Sequence, residues 1–127
     1  MEIGIKGEKT LIVTEEMTAE KVGSGLLPVY ATPMMIAEME NVASMSVAPY
    51  LNEGEGTVGT KMNVNHVSAS PVGIEVRVET ELTEVDRRRL VFSVKAYDAA
   101  GLIGEGVHER FIIQNEKFMA KTSAKLG

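Results

Sequence analysis

Cysteine and tryptophan are absent from the 127 residues. Without cysteine there is no disulfide, no thiolate nucleophile, no zinc finger and no iron–sulfur cluster. Three Tyr and three Phe leave few platforms for stacking single-stranded bases. Positive charge is also short. Lys and Arg number 13 against 18 Asp and Glu, a formal net charge of -5, which argues against a nucleic-acid partner or an anionic membrane surface. No long apolar run exists. The longest stretch, near Met34 to Leu51, is broken by Glu38, Glu40 and Asn41 and is too polar to span a bilayer. The first seven residues carry Glu2, Lys6 and two glycines rather than a signal-peptide core, so a cytoplasmic protein without a membrane partner is expected. What remains, 44% apolar and 24% charged residues, is a globular balance, and the length suits one domain over residues 1–127.

Periodicity divides the chain. Glu8 to Val13 reads as a short strand, followed by a short helix from Thr14 to about Gly23. Gly23, Gly25 and Pro28 make a loop. Thr32 and Pro33 read as the cap and first residue of a long helix running to about Leu51. Met34, Met35, Ile36, Met39, Val42, Met45 and Val47 cover most of its circumference, so other structure should wrap it. After Gly56 the period becomes two. Val58, Met62 and Val64 mark the inner face of one strand. Ile74, Val76, Val78 and Leu82 mark a second, and Leu90, Phe92, Val94 and Ala96 a third. Leu102 to Ile113 is the last strand, with Gly104 and Gly106 allowing close backbone approach. A terminal helix from Glu116 to Leu126 would expose Lys117, Lys121 and Lys125. The order is strand, helix, then four consecutive antiparallel strands. It predicts an α+β fold of hotdog type, a curved antiparallel sheet around a long buried helix.

Few residues can carry chemistry. His66 is in phase with Met62 and Val64 and should face the helix, either as a satisfied core residue or as an acid–base group. Glu40 interrupts the apolar helix; a carboxylate there must be paired or wetted, unless it belongs to a narrow polar stripe with Glu38. Thr32 is a helix cap, or a hydroxyl that meets a substrate carbonyl. Thr32 and Glu40 are eight residues apart, about 12 Å along a helix, and cannot bond each other. Either His66 and substrate bridge them, or the helix starts later, or a second subunit completes the site. Gly54 to Gly59 fits G-x-G-x-x-G, but the helix comes first and the strand follows, the wrong order for a dinucleotide fingerprint. Two distant histidines give no metal-ligand set. Arg87-Arg88-Arg89 is a solvated hairpin tip or a phosphate contact.

Two stretches carry a resemblance. VYATPMMIAEMENVASMSVAPYLNEGEGTVGTKMNVNHVSASPVG, from Val29, and IGEGVHERFIIQNEKFMAK, from Ile103, resemble the fluoroacetyl-CoA thioesterase family of hotdog enzymes. The resemblance implies hydrolysis of a short acyl-CoA by a Thr32, Glu40 and His66 set. Gly59 would lie near the acyl carbonyl, and Arg110, in the H-E-R of the last strand, among the substrate-binding residues. It implies a homodimer with the site at its interface, and no cofactor, because coenzyme A is part of the substrate. A departure accompanies it: Lys21 to Pro28, where the fluoroacetyl-specific enzyme has entrance phenylalanines, contains no aromatic residue. A broader small-acyl specificity follows. The competing expectations are an acyl-CoA binding or sensing domain without catalysis and, with no signature to support it, a hydratase.

Overall fold

The computed structural model describes residues 1–127, and the alternating segments become five strands. These are β1 (Lys6–Ile12), β2 (Glu55–His66), β3 (Glu75–Asp86), β4 (Arg89–Asp98) and β5 (Gly101–Gln114). All pairings are antiparallel, in the order β1-β3-β4-β5-β2. The expected run of four consecutively paired strands is therefore corrected at one place. β3, β4 and β5 follow one another, but β2 pairs with β5 instead of β3. Glycines on β5 explain the choice. A Cβ at Gly106 would collide with the Asn63 carbonyl oxygen and Val64 of β2, so only a strand free of side chains there admits that approach. The link from β2 to β3 is accordingly a crossover. It is pinned where the Tyr30 N–H donates to the Ser70 carbonyl at 2.9 Å.

Helix α2 (Thr32–Val47) lies across one face of the sheet. It buries Met35, Met39, Val42, Ala43 and Val47, a single stripe at helical spacing. Beneath them are Val76, Val78, Leu82, Leu90, Phe92, Val94 and Ala96, all fully buried. The expectation of a helix wrapped on every side needs correction: Ala37, Asn41 and Met45 are exposed, Met45 at 63%. The cap also differs. Ala31 is the N-cap, Thr32 the first helical residue and Pro33 the second, where its missing N–H still costs nothing. Pro49 ends the helix earlier than expected by removing a donor, leaving one 3-10 turn at Ala48–Tyr50.

β2 departs from strict alternation. Its register with β5 shifts between Gly59 and Lys61, a bulge at Thr60 that reverses which residues face the helix. Thr57 and Gly59 therefore face inward in place of Val58, while Met62, Val64 and His66 keep the expected side. The expected helix after Thr14 is two fragments, a 3-10 turn at Glu15–Met17 and α1 (Ala19–Val22), closed by Gly23 at φ 87. The terminal helix α3 spans Asn115–Ser123. No helix is long and apolar enough to cross a membrane.

Candidate active site

The sequence-predicted residues fall into two groups. Thr32, at the start of α2, and His66, at the end of β2, meet directly: Thr32 Oγ1 and His66 Nδ1 form a 2.7 Å hydrogen bond. The hydroxyl expected to cap the helix is thus engaged with the imidazole instead. His66 Nε2 is buried and has no partner within the chain. Burial holds the His66 pKa below its ordinary value, against an opposing contribution from the Ser68 backbone. A neutral ring follows at neutral pH, able to take up a proton. The pair borders a hollow of about 440 Å³ with Tyr30, Ser24 and Ala19 on its far walls. The chain leading into this hollow, Lys21 to Pro28, exposes Leu26 at 90% and Leu27 at 64%.

The second group gathers around Glu40, half-buried at the middle of α2. Its Oε2 lies 2.9 Å from where a Gly59 Cβ would stand. His108 Cε1 and Arg110 Nη1 lie 3.3 and 3.4 Å from the same point. The side chains of Glu40, His108 and Arg110 thus converge on the volume a side chain at Gly59 would fill. Arg110, 8% exposed, is held by three donations. Its Nε donates to Thr57 Oγ1 at 2.8 Å, its Nη2 to the Thr57 carbonyl at 2.9 Å and its Nη1 to His108 Nε2 at 3.2 Å. His108 Nδ1–H in turn donates to the Lys61 carbonyl at 2.8 Å. Both bonds require the neutral ring with its proton on Nδ1. Burial is the main cause that depresses the His108 pKa; the Lys61 carbonyl opposes it, the Arg110 cation adds to it and Glu40 opposes it. Arg110 is likewise pushed down by burial and drawn back up by Glu40. Phe92 stacks on His108, with ring centres 6.2 Å apart.

One chain keeps these groups apart. Helix α2 runs unbroken from Thr32 through Glu40, which sets them about 12 Å apart along the axis and excludes a late helix start. Gly59 and His66 are seven residues apart on β2, roughly 20 Å. His108 faces inward with Arg110; Glu109 between them points to the opposite face and binds Arg89 at 2.8 Å. Thr57 and the Lys61 carbonyl escaped sequence reasoning. A threonine and a backbone oxygen carry no signal, although two polar residues in phase at His108 and Arg110 marked where their partners would be needed.

The model of the fluoroacetyl-CoA-specific thioesterases matches residues 13–116. The fluoroacetyl-CoA thioesterase of Streptantibioticus cattleyicolor is 45% identical over 97 residues, 76% of this chain and 70% of that protein. A solved structure of the fluoroacetyl-CoA thioesterase FlK superposes with a TM-score of 0.93 at 37% identity, covering 98% of this chain and 97% of that one. A mutant of FlK in complex with acetyl-CoA superposes with a TM-score of 0.92 at 35% identity over 100% of both chains.

Proposed function

The chain belongs to the fluoroacetyl-CoA-specific thioesterase family, and from that premise we propose that it hydrolyses a short-chain acyl-CoA to the free acid and CoA through Thr32, Glu40 and His66. The Glu40 carboxylate, beside the Arg110 cation, delivers the attack on the thioester carbonyl, directly or through a water. The Gly59 N–H receives the developing oxyanion. His66 takes up the proton released by the water consumed in hydrolysis and gives it to the thiolate, and Thr32 fixes the imidazole that does so. Arg110 uses three of its five N–H donors within the chain, and the others are free for substrate. CoA arrives with the substrate, so the chemistry calls for no cofactor. Residues 1–127 act as one domain, in the cytoplasm.

The working unit is a homodimer, and the separation of the two groups carries this reading. β2 holds both Gly59 and His66, and its outer edge is unpaired, an open template for a second copy. Two such edges paired antiparallel about a two-fold axis at Asn63, with the extra residue Thr60 bulged out of each ladder, set each Gly59 opposite the partner's His66. Thr32 and His66 of one copy then meet Glu40 of the other. The test is complementation. Protein carrying Glu40→Gln and protein carrying His66→Ala, each inactive alone, are mixed and allowed to exchange subunits. Half the dimers are then mixed, each with one intact site, so about a quarter of wild-type turnover should return. Verified mixed dimers with no recovered activity would place the whole set within one chain.

A further inference from the structure

The hairpin between β3 and β4 carries three arginines in different states. Arg89 is neutralised: its Nη1 bonds Glu84 at 2.7 Å and its Nε bonds Glu109 at 2.8 Å. Arg87 and Arg88 have no ion-pair partner and are exposed. Arg87 is the only non-glycine residue at positive φ, 59°, in a two-residue turn whose first position ordinarily takes glycine. An arginine held there against its backbone preference points to use of the side chain. Beside it Phe111 is 41% exposed on the outer face of β5, opposite Arg89 in the ladder. These residues and Asp86 surround a hollow of about 470 Å³.

Register ties this hollow to the Glu40 group. Leu90 pairs with Arg110 and Arg89 with Phe111, so the hairpin ends at the level where Arg110 faces inward. A substrate arm leaving Glu40 and Arg110 needs only to round this tip to reach Arg87 and Arg88. We propose that Arg87, Arg88 and Phe111 form a binding site for the adenosine 3′-phosphate 5′-diphosphate end of the CoA thioester. The two guanidinium groups suit its phosphates, and the phenylalanine offers a face for the adenine ring. In a chain of net charge -5, a polyanion needs such a local cationic landing point. This inference rests on the thioesterase reading above and adds the part of the substrate that takes no part in the reaction.

The experiment compares one acyl group on CoA, on 3′-dephospho-CoA and on pantetheine alone. Arg87→Gly combined with Arg88→Ser removes both cations while giving the turn the residue it prefers, so folding is protected. For acyl-CoA, KM should rise at least about tenfold with kcat within about twofold, the signature of lost uniform binding. For acyl-pantetheine neither constant should change, and 3′-dephospho-CoA should fall between. The wild-type KM for acyl-CoA should rise with ionic strength, and that of the variant should be nearly flat. Phe111→Ala should raise KM for acyl-CoA only, and Phe111→Tyr should restore it. An unchanged KM for acyl-CoA, or equal losses on CoA and pantetheine substrates, overturns the site. So does a wild-type preference for acyl groups on an acidic carrier protein that the arginine variant loses. Failure of the wild type to hydrolyse acyl-pantetheine and acyl-CoA alike would instead strike the thioesterase reading.

Discussion

The two halves of the candidate site are built differently. Thr32 and His66 share one hydrogen bond, line an open hollow and leave a buried nitrogen unpartnered. Arg110 and His108 are locked by four bonds and a stacked ring, and a side chain at Gly59 would crowd them and Glu40. One half can be finished from outside; the other is complete as folded. Preorganised donors belong where charge develops, because fixed dipoles need no rearrangement during reaction. A spare imidazole nitrogen belongs where a proton must move.

The hardest test of this contrast removes one group from each half. Glu40→Gln keeps the shape and deletes the charge; His66→Ala deletes the proton carrier. Each should lower kcat by at least about a hundredfold, and the double variant should be little worse than the poorer single one, because members of one catalytic unit do not add. Circular dichroism must show each variant folded. A folded Glu40→Gln protein with more than about half its turnover would remove Glu40 from the catalytic set.

A smaller change probes the crowded half alone. Gly59→Ala places a methyl 2.9 Å from Glu40 Oε2. The carboxylate is the end of a flexible side chain and can swing aside, so the fold should survive with a melting temperature within a few degrees of wild type. The reaction should not escape, since a misplacement of this size costs on the order of a hundredfold. Retained kcat in Gly59→Ala would show that Glu40 does not act from the position seen.

The open half should set breadth of specificity. Leu26 and Leu27 project into solvent at the approach to Thr32 and His66, and no aromatic residue narrows Lys21 to Pro28. Several short acyl-CoAs should be hydrolysed. Fluoroacetyl-CoA should not exceed acetyl-CoA by a thousandfold in kcat/KM, about 4 kcal/mol of transition-state discrimination. Competition between the two substrates measures that ratio directly.

Legibility in the sequence followed the same divide. Period-two alternation located β3 and β4 to within a few residues, because Leu90 to Ala96 and Val76 to Leu82 bury alternate side chains against one helix. Pairing order was not legible: it depends on Gly104 and Gly106 accepting a strand far away in sequence. The bulge at Thr60 was invisible too, and it puts Gly59 and Thr57 on the same side as Arg110. Thr32, Glu40 and His66 stood out as polar groups in apolar surroundings. Their spacing already forbade a direct bond between Thr32 and Glu40, and the unbroken helix leaves that conclusion standing.

The smallest effect expected concerns pH and stability. His108 is 1% exposed, and burial holds its pKa below the ordinary value, with Arg110 adding to the depression. His66 is depressed by burial as well. A histidine that takes its proton more readily when unfolded stabilises the native state fully above its unfolded pKa, near about 6.5. Below that value the unfolded chain binds a proton that the folded ring refuses, so stability falls with pH until the lower folded pKa is passed. The melting temperature should therefore decline between about pH 7.5 and about pH 5.5. Around the His108 ring stand Arg110, which opposes protonation, and Glu40 and Glu109, which favour it; Lys61 contributes its carbonyl. His108→Gln can still accept from Arg110 but does not titrate. It should melt lower than wild type at neutral pH, because the stacked ring is lost, yet lose less of its remaining stability on acidification. Parallel curves for His108→Gln and wild type across that range would mean that His108 ionises as easily in the fold as out of it, and the crowded half would not be the desolvated pocket described here.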